Sequence, residues 1–159
     1  MLIAILHDIR SMHNVGSIFR TADAAGVEKL YLCGITPELV DVFGRPRPQI
    51  IKVSLGAEKS VAWEHCDSTS KLITKLKKEG YKIFAIEQSK NSIPYYTLNP
   101  KRYTLKRVAL LVGNEISGIS PAILKKCDKI LEIPMKGKKE SLNVAVAFGI
   151  VVFTLTAKP

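Results

Sequence analysis

Residues 2–26 read LIAILHDIRSMHNVGSIFRTADAAG, and this stretch decides the fold class. The apolar run at 2–6 reads as a strand, and a polar turn follows it. Val15, Ile18, Phe19, Ala22 and Ala25 then recur at i, i+3, i+4, i+7 spacing. Residues 15–25 are therefore predicted as a helix, which Gly26 ends. The next apolar run, residues 29–32, supplies a second strand. Strand, helix and strand in alternation point to a parallel α/β sheet flanked by helices.

The alternation continues outward from there. Residues 34–56 are irregular, broken by Pro37, Pro46 and Pro48, with room for one short helix at 49–55. Residues 68–79 read as an exposed helix, with Leu72, Ile73 and Leu76 inward and Lys71, Lys75, Lys77 and Lys78 outward. Strands are expected at 82–87, 108–112 and 129–133. Ser120-Pro121 opens a short helix to 126, and Ser141 is expected to cap a final helix running to about residue 157. No repeat, linker or low-complexity tract interrupts the pattern, so one domain over 1–159 is expected. The final helix has almost no polar face: Val144, Val146, Phe148, Ile150, Val151, Val152, Phe153 and Leu155 surround it. Such a helix must be covered on all sides. A second subunit is the expected cover for one face, with burial wholly inside its own domain as the alternative.

Lys and Arg total 24 against 14 Asp and Glu, a formal charge of +10 over 159 residues. That balance favours a polyanionic partner, nucleic acid above all, because neutralised phosphates release condensed counterions. The alternative is a basic surface that serves solubility. Cys33, Cys66 and Cys127 are scattered and form no C-x-x-C pair, which argues against a disulfide framework or a zinc site. His7, His13 and His65 likewise lack metal-ligand spacing, so no metal is expected. Residues 1–6 are too short for a signal segment and no stretch is apolar enough to span a membrane. A cytoplasmic protein is expected.

In a parallel sheet the loops that follow strands emerge at one edge, where ligands bind. Three such loops are rich in glycine and polar residues: 7–16, 113–118 and 134–143. No G-x-G-x-x-G occurs, and Gly137-Lys138 lacks the earlier glycine of a phosphate-binding loop because position 132 is Glu132. Nicotinamide redox chemistry and nucleotide hydrolysis thereby lose their support.

The same loops carry a resemblance. Asn14-Val15-Gly16-Ser17-Ile18-Phe19-Arg20 resembles the first motif of the SpoU (TrmH-type) RNA methyltransferases of the SPOUT superfamily. Leu111-Val112-Gly113-Asn114-Glu115-Ile116-Ser117-Gly118 resembles the second. Ile133-Pro134-Met135, with Ser141-Leu142-Asn143-Val144-Ala145-Val146-Ala147, resembles the third. Three motifs in order span nearly the whole chain. The resemblance implies a C-terminal trefoil knot, a homodimer, S-adenosylmethionine as methyl donor and a ribose 2′-hydroxyl of tRNA or rRNA as acceptor. Composition and periodicity do not show a knot, and general experience of chain topology runs against one.

By the same resemblance Arg20 is the central catalytic residue, joined by Asn14, Glu115, Ser141 and Asn143. A guanidinium stays protonated in nearly all protein settings, so a clamp on an RNA phosphate suits Arg20 better than a base. Asn14 also stands where a helix cap is common. Glu115 has the alternative of ordering its loop by pairing with Arg20 or a lysine. Capping accounts for Ser141; Asn143, read as already inside the helix, calls for a pocket-facing role. For the cofactor the resemblance points to Ile86, Glu87, Gly113, Ile133, Met135, Ser141 and Leu142; ordinary packing is the alternative for Ile133 and Leu142. Arg10, Arg20, Lys136, Lys138 and Lys139 are the expected RNA contacts. A non-catalytic RNA-binding module and a base-nitrogen methyltransferase stay open as rival functions. No separate RNA-recognition segment stands out within residues 1–159, which leaves tRNA and rRNA both open as substrates, with tRNA the expected one.

Overall fold

The structure, a computed structural model, describes residues 1–98 and 107–156. Among the described residues seven strands form one parallel sheet in the order β3-β2-β1-β6-β4-β7-β5. They are β1 (Leu2–His7), β2 (Lys29–Cys33), β3 (Ala62–Cys66), β4 (Lys82–Ile86), β5 (Ile93–Pro94), β6 (Val108–Val112) and β7 (Lys129–Glu132). The chain starts at the sheet centre, runs outward through β2 and β3, and returns to build the other half. β6 is inserted between β1 and β4, in register with Leu2–Leu6 on one side and Lys82–Ala85 on the other. All five of its residues are buried, as a strand covered on both faces requires.

Period-two alternation sorts the side chains into two cores. Ala4, Leu6, Leu30, Leu32 and Leu110 face the helices α1 (Met12–Ala25), α2 (Pro48–Ser54) and α6 (Val144–Thr156). Ile3, Ile5, Tyr31, Ile83 and Leu111 face α4 (Thr69–Lys78), through Leu72, Ile73 and Leu76. Two four-residue helices, α3 (Ala57–Ser60) and α5 (Pro121–Leu124), complete the layers. Ser68 caps α4 through its side chain, as its place before the lysine-rich helix suggests.

The starts of two helices need correction. Helix α1 begins a turn earlier than residue 15, because Ser11 and not Asn14 is its cap: the Ser11 hydroxyl accepts from Asn14 N at 3.2 Å. Helix α6 begins at Val144, and Asn143 caps it. Asn143 Oδ1 accepts from Ala145 N at 2.9 Å and Val146 N at 3.4 Å, so Ser141 lies outside the helix and caps nothing. The expected end near residue 157 falls outside the described residues. Strands β3 and β5 were not foreseen; β3 is an edge strand of mixed polarity, Ala-Trp-Glu-His-Cys, with no apolar run to announce it. β5 is only two residues long.

Gly16 of the first motif has a packing role. A Cβ there would lie 2.7 Å from the Ile50 carbonyl oxygen, so α1 and α2 approach as closely as they do only with glycine. Burial pushes the Cys33 thiol up to about 12 and that of Cys127 up to about 11, as for cysteines that serve as small apolar residues.

Candidate active site

The loops after β4, β6 and β7 leave the carboxyl edge of the sheet and surround a cavity of about 1010 Å³. Ile86 and Glu87 line it from the first loop, Gly113 to Ile119 from the second, and Ile133, Met135, Ser141, Leu142 and Asn143 from the third. Every residue expected to hold the cofactor therefore borders one space. Its volume is at the upper end for small-molecule sites. Apolar side chains stand open around it: Leu142 is 38% exposed and Ile116 79%. A flat heteroaromatic ring would cover such a wall, so the residues fit an adenine-bearing cofactor.

Gly113 is where the strand meets this loop. A Cβ on it would come within 2.5 Å of Ile119 Cγ1 and 2.8 Å of the Gly118 carbonyl carbon. The missing side chain lets the loop fold back over its own strand. The fold-back is tied by Glu87, whose Oε2 accepts from Ile119 N at 2.9 Å while Oε1 accepts from Gln88 N at 2.9 Å. Asn114, which the sequence reading passed over, joins two loops. Its Oδ1 accepts from Ile116 N and Ser117 N, both at 2.9 Å, and its Nδ2 donates to Asp8 O at 2.7 Å. The Asn-x-x-x-Gly spacing of a closed turn was the available signal.

Beside the cavity a polar chain joins all three motifs. Asn143 Nδ2 donates to Asn14 Oδ1 at 3.0 Å, and Asn14 Nδ2 donates to Glu115 Oε1 at 2.9 Å. Glu115 also accepts from Arg10 N at 2.9 Å and Ser11 N at 3.0 Å, which seats its carboxylate on the first turn of α1. Asn14 is only 6% exposed, and both ends of its amide are engaged. Glu115 thus orders its loop, but through Asn14 and backbone N–H groups; Arg20 is not its partner.

The carboxyl of Glu115 sits below its ordinary value of 4.5. Burial works against ionisation there, and the donors from Arg10, Asn14 and Ser11 outweigh it. The folded pKa lies below the unfolded one, so the stabilisation is complete above about 4.5 and fades as pH falls through the lower folded value. Urea midpoints of the wild type and of Glu115→Gln should differ most near neutrality and converge on acidification. A gap that does not change with pH would contradict this.

Arg20 stands apart from the cavity. Six residues beyond Asn14, it is displaced by roughly 9 Å along the axis of α1 and roughly 120° around it. Its side chain is exposed, makes no hydrogen bond or ion pair with any described residue, and does not line the cavity of its own chain. Within one chain, Arg20 and the cavity are therefore separate. Its neighbour Thr21 faces α6, where a Cβ on Gly149 would stand 3.6 Å from Thr21 Cγ2. Nearby, Val146 and Phe153 on α6 are 50% and 48% exposed. Seven residues apart, they share one uncovered apolar face.

Lys136, Lys138 and Lys139 are exposed beside the third loop and pair with no described carboxylate; the Arg10 side chain is exposed at the first. Among the described residues no group of three His, Cys, Asp or Glu side chains stands close enough to hold a metal ion. No described helix is long and apolar enough to cross a membrane.

A family model described as the SpoU rRNA Methylase family matches residues 1–153. The chain is 36% identical over 152 residues to the tRNA (guanosine(18)-2′-O)-methyltransferase of Aquifex aeolicus, covering 96% of this chain and 67% of that protein. It covers 58–59% of the staphylococcal relatives that it matches. The crystal structure of the A. aeolicus TrmH/SpoU tRNA modifying enzyme superposes on 98% of this chain and 73% of that one, with a TM-score of 0.80 and 33% identity. The AdoMet-bound rRNA methyltransferase from Sinorhizobium meliloti superposes on 97% of this chain and 55% of that one, with a TM-score of 0.83 and 28% identity. With its three motifs gathered around one cavity and the family model matching nearly all of its length, the chain belongs to the SpoU rRNA methylase family.

Proposed function

We propose that this protein transfers a methyl group from S-adenosylmethionine to a ribose 2′-hydroxyl of tRNA or rRNA. The convergence of three post-strand loops on one cavity of about 1010 Å³ carries this reading. The charge of +10 suits a polyanionic acceptor. S-adenosylmethionine, when bound, supplies an electrophilic methyl on a sulfonium. Ile86, Ile133 and Leu142 would hold its adenine, with backbone groups of Gly113, Met135 and Leu142 and the Ser141 hydroxyl as polar partners. Glu87 acts at one remove, by holding the fold-back of the 113–119 loop.

A neutral ribose hydroxyl is a weak nucleophile, so alignment and charge stabilisation fall to the protein. Arg20 clamps an RNA phosphate and steadies negative charge near the 2′-oxygen, while that phosphate or water takes the proton. Asn14, held from both sides by Asn143 and Glu115, sets the wall against which the ribose lies. Arg10, Lys136, Lys138 and Lys139 meet flanking phosphates.

This chemistry needs two chains. The uncovered face of Val146 and Phe153 beside the turn that carries Arg20 supports a homodimer, in which the guanidinium of one protomer reaches the pocket of its partner. The trefoil knot rests on family membership; the connections after β4 and β7 meet where Gln88 Nε2 donates to Glu140 O at 2.6 Å. One sheet takes in every described strand, which supports a single domain, and an RNA acceptor supports a cytoplasmic location.

Incubation of total RNA with labelled S-adenosylmethionine, followed by nuclease digestion and mass spectrometry, tests the function. A label on a ribose 2′-oxygen is expected. A label on a base nitrogen would overturn the acceptor, and no transfer to any RNA would favour a binding module.

A further inference from the structure

Resting on the RNA-methyltransferase reading, we propose that the loop at residues 39–47 is an RNA-binding arm on which Phe43 stacks against an unpaired base of the substrate. Phe43 is 77% exposed and the neighbouring Val42 90%. An aromatic ring left in water on a slack loop would mean little, but this loop is built. Asp41 Oδ1 accepts from Phe43 N at 2.8 Å and Arg45 N at 3.0 Å, and its Oδ2 accepts from Arg45 Nε at 2.9 Å. Asp41 N donates to Arg45 O at 2.8 Å and Arg47 N to Leu39 O at 2.9 Å, closing a short antiparallel bridge between Val40 and Pro46. The Arg45 guanidinium lies 4.9 Å from the Phe43 ring centroid. Arg47 donates through Nε to Val40 O at 3.2 Å beside them. The ordering entropy of the tip is thus met before any ligand arrives.

The arm springs from the same edge as the cavity. It leaves β2 directly after Cys33, and Ile35 N donates to Asp8 Oδ1 at 3.0 Å. The buried Thr36 Oγ1 accepts from Ile9 N at 3.1 Å. Asp8 is in turn held by Asn114 of the cavity loop. A short series of hydrogen bonds therefore fixes the root of the arm relative to the methyl-transfer site.

The chemistry of the tip selects its occupant. Two apolar side chains fall far short of the roughly 800 Å² per partner that a specific protein interface buries. A flat aromatic face beside a guanidinium plane matches the two surfaces on which unpaired RNA bases stack, and the charge of +10 draws the phosphates that accompany them. Stacking on an aromatic side chain tolerates any base, so the arm recognises an unpaired nucleotide and no particular sequence.

The test compares Phe43→Ala and Phe43→Trp with the wild type in binding unfractionated tRNA, a short single-stranded RNA of mixed sequence and a blunt RNA duplex. Phe43→Ala should weaken binding of the first two by about tenfold or more and raise KM for RNA, with duplex binding and S-adenosylmethionine affinity unchanged. Phe43→Trp should restore the wild-type affinity. An RNA affinity that Phe43→Ala leaves untouched would overturn the arm while the parent function stands. So would a dimer that dissociates in that variant, since the tip would then belong to the interface between copies. Wild-type protein that binds none of the RNAs would overturn the parent reading and the arm together.

Discussion

Replacing Arg20 by Ala should lower methyl transfer by about a hundred- to a thousandfold, the cost of removing one preorganised donor aimed at developing charge. Calorimetry with S-adenosylmethionine should show the wild-type affinity, because the role proposed for the side chain is to grip an RNA phosphate and not the cofactor. Arg20→Lys should recover little: an ammonium keeps the charge and loses the planar fork that grips a phosphate by two hydrogen bonds. Loss of cofactor affinity in Arg20→Ala would contradict this division of labour. Intact transfer would remove Arg20 from the chemistry altogether.

The second large effect is expected at Gly113. Its buried position leaves a new Cβ no exit, with Ile119 Cγ1 at 2.5 Å and backbone atoms of Gly118 at 2.8 and 2.9 Å. Backbone cannot rotate aside as a side chain does, so Gly113→Ala must push the 113–119 loop off its strand. Overpacking of this kind costs about 1–3 kcal/mol of stability. The displaced loop also takes Glu115 from Asn14 and Ile119 from Glu87, so S-adenosylmethionine affinity should fall along with the urea midpoint. A variant with wild-type stability and affinity would show that the fold-back does not shape the pocket.

Much of this was legible in the sequence, for reasons that differ by element. α1 announces itself because burial on one face imposes a period, and β6 because Val-Ala-Leu-Leu-Val is the short unbroken apolar run that a strand covered on both faces requires. β3 escaped because an edge strand needs no apolar run, and β5 because two residues carry no period at all. The two helix starts were misread in opposite directions, α1 too late and α6 too early. Ser11 and Ser141 are both serines before helices, and only the backbone decides which hydroxyl meets an N–H. At α6 the neighbouring Asn143 takes that place and donates to Asn14 as well. The motifs identified the residues that line the cavity, but not that Arg20 stands apart from it. Sequence spacing fixes where Arg20 points relative to Asn14; its distance from the cavity of its own chain needed the fold.

The most direct measurement is complementation in a mixed dimer. One protomer carries Arg20→Ala, and its partner carries Leu142→Arg, which places a charge in the apolar wall of the cofactor pocket. Co-expressed with different tags and purified through both, the mixed dimer has one site with an intact pocket and the partner's intact Arg20. It should regain about half of the wild-type activity, as two-fold symmetry requires, while each parent homodimer stays inactive. A mixed dimer as inactive as its parents would contradict a site shared between chains.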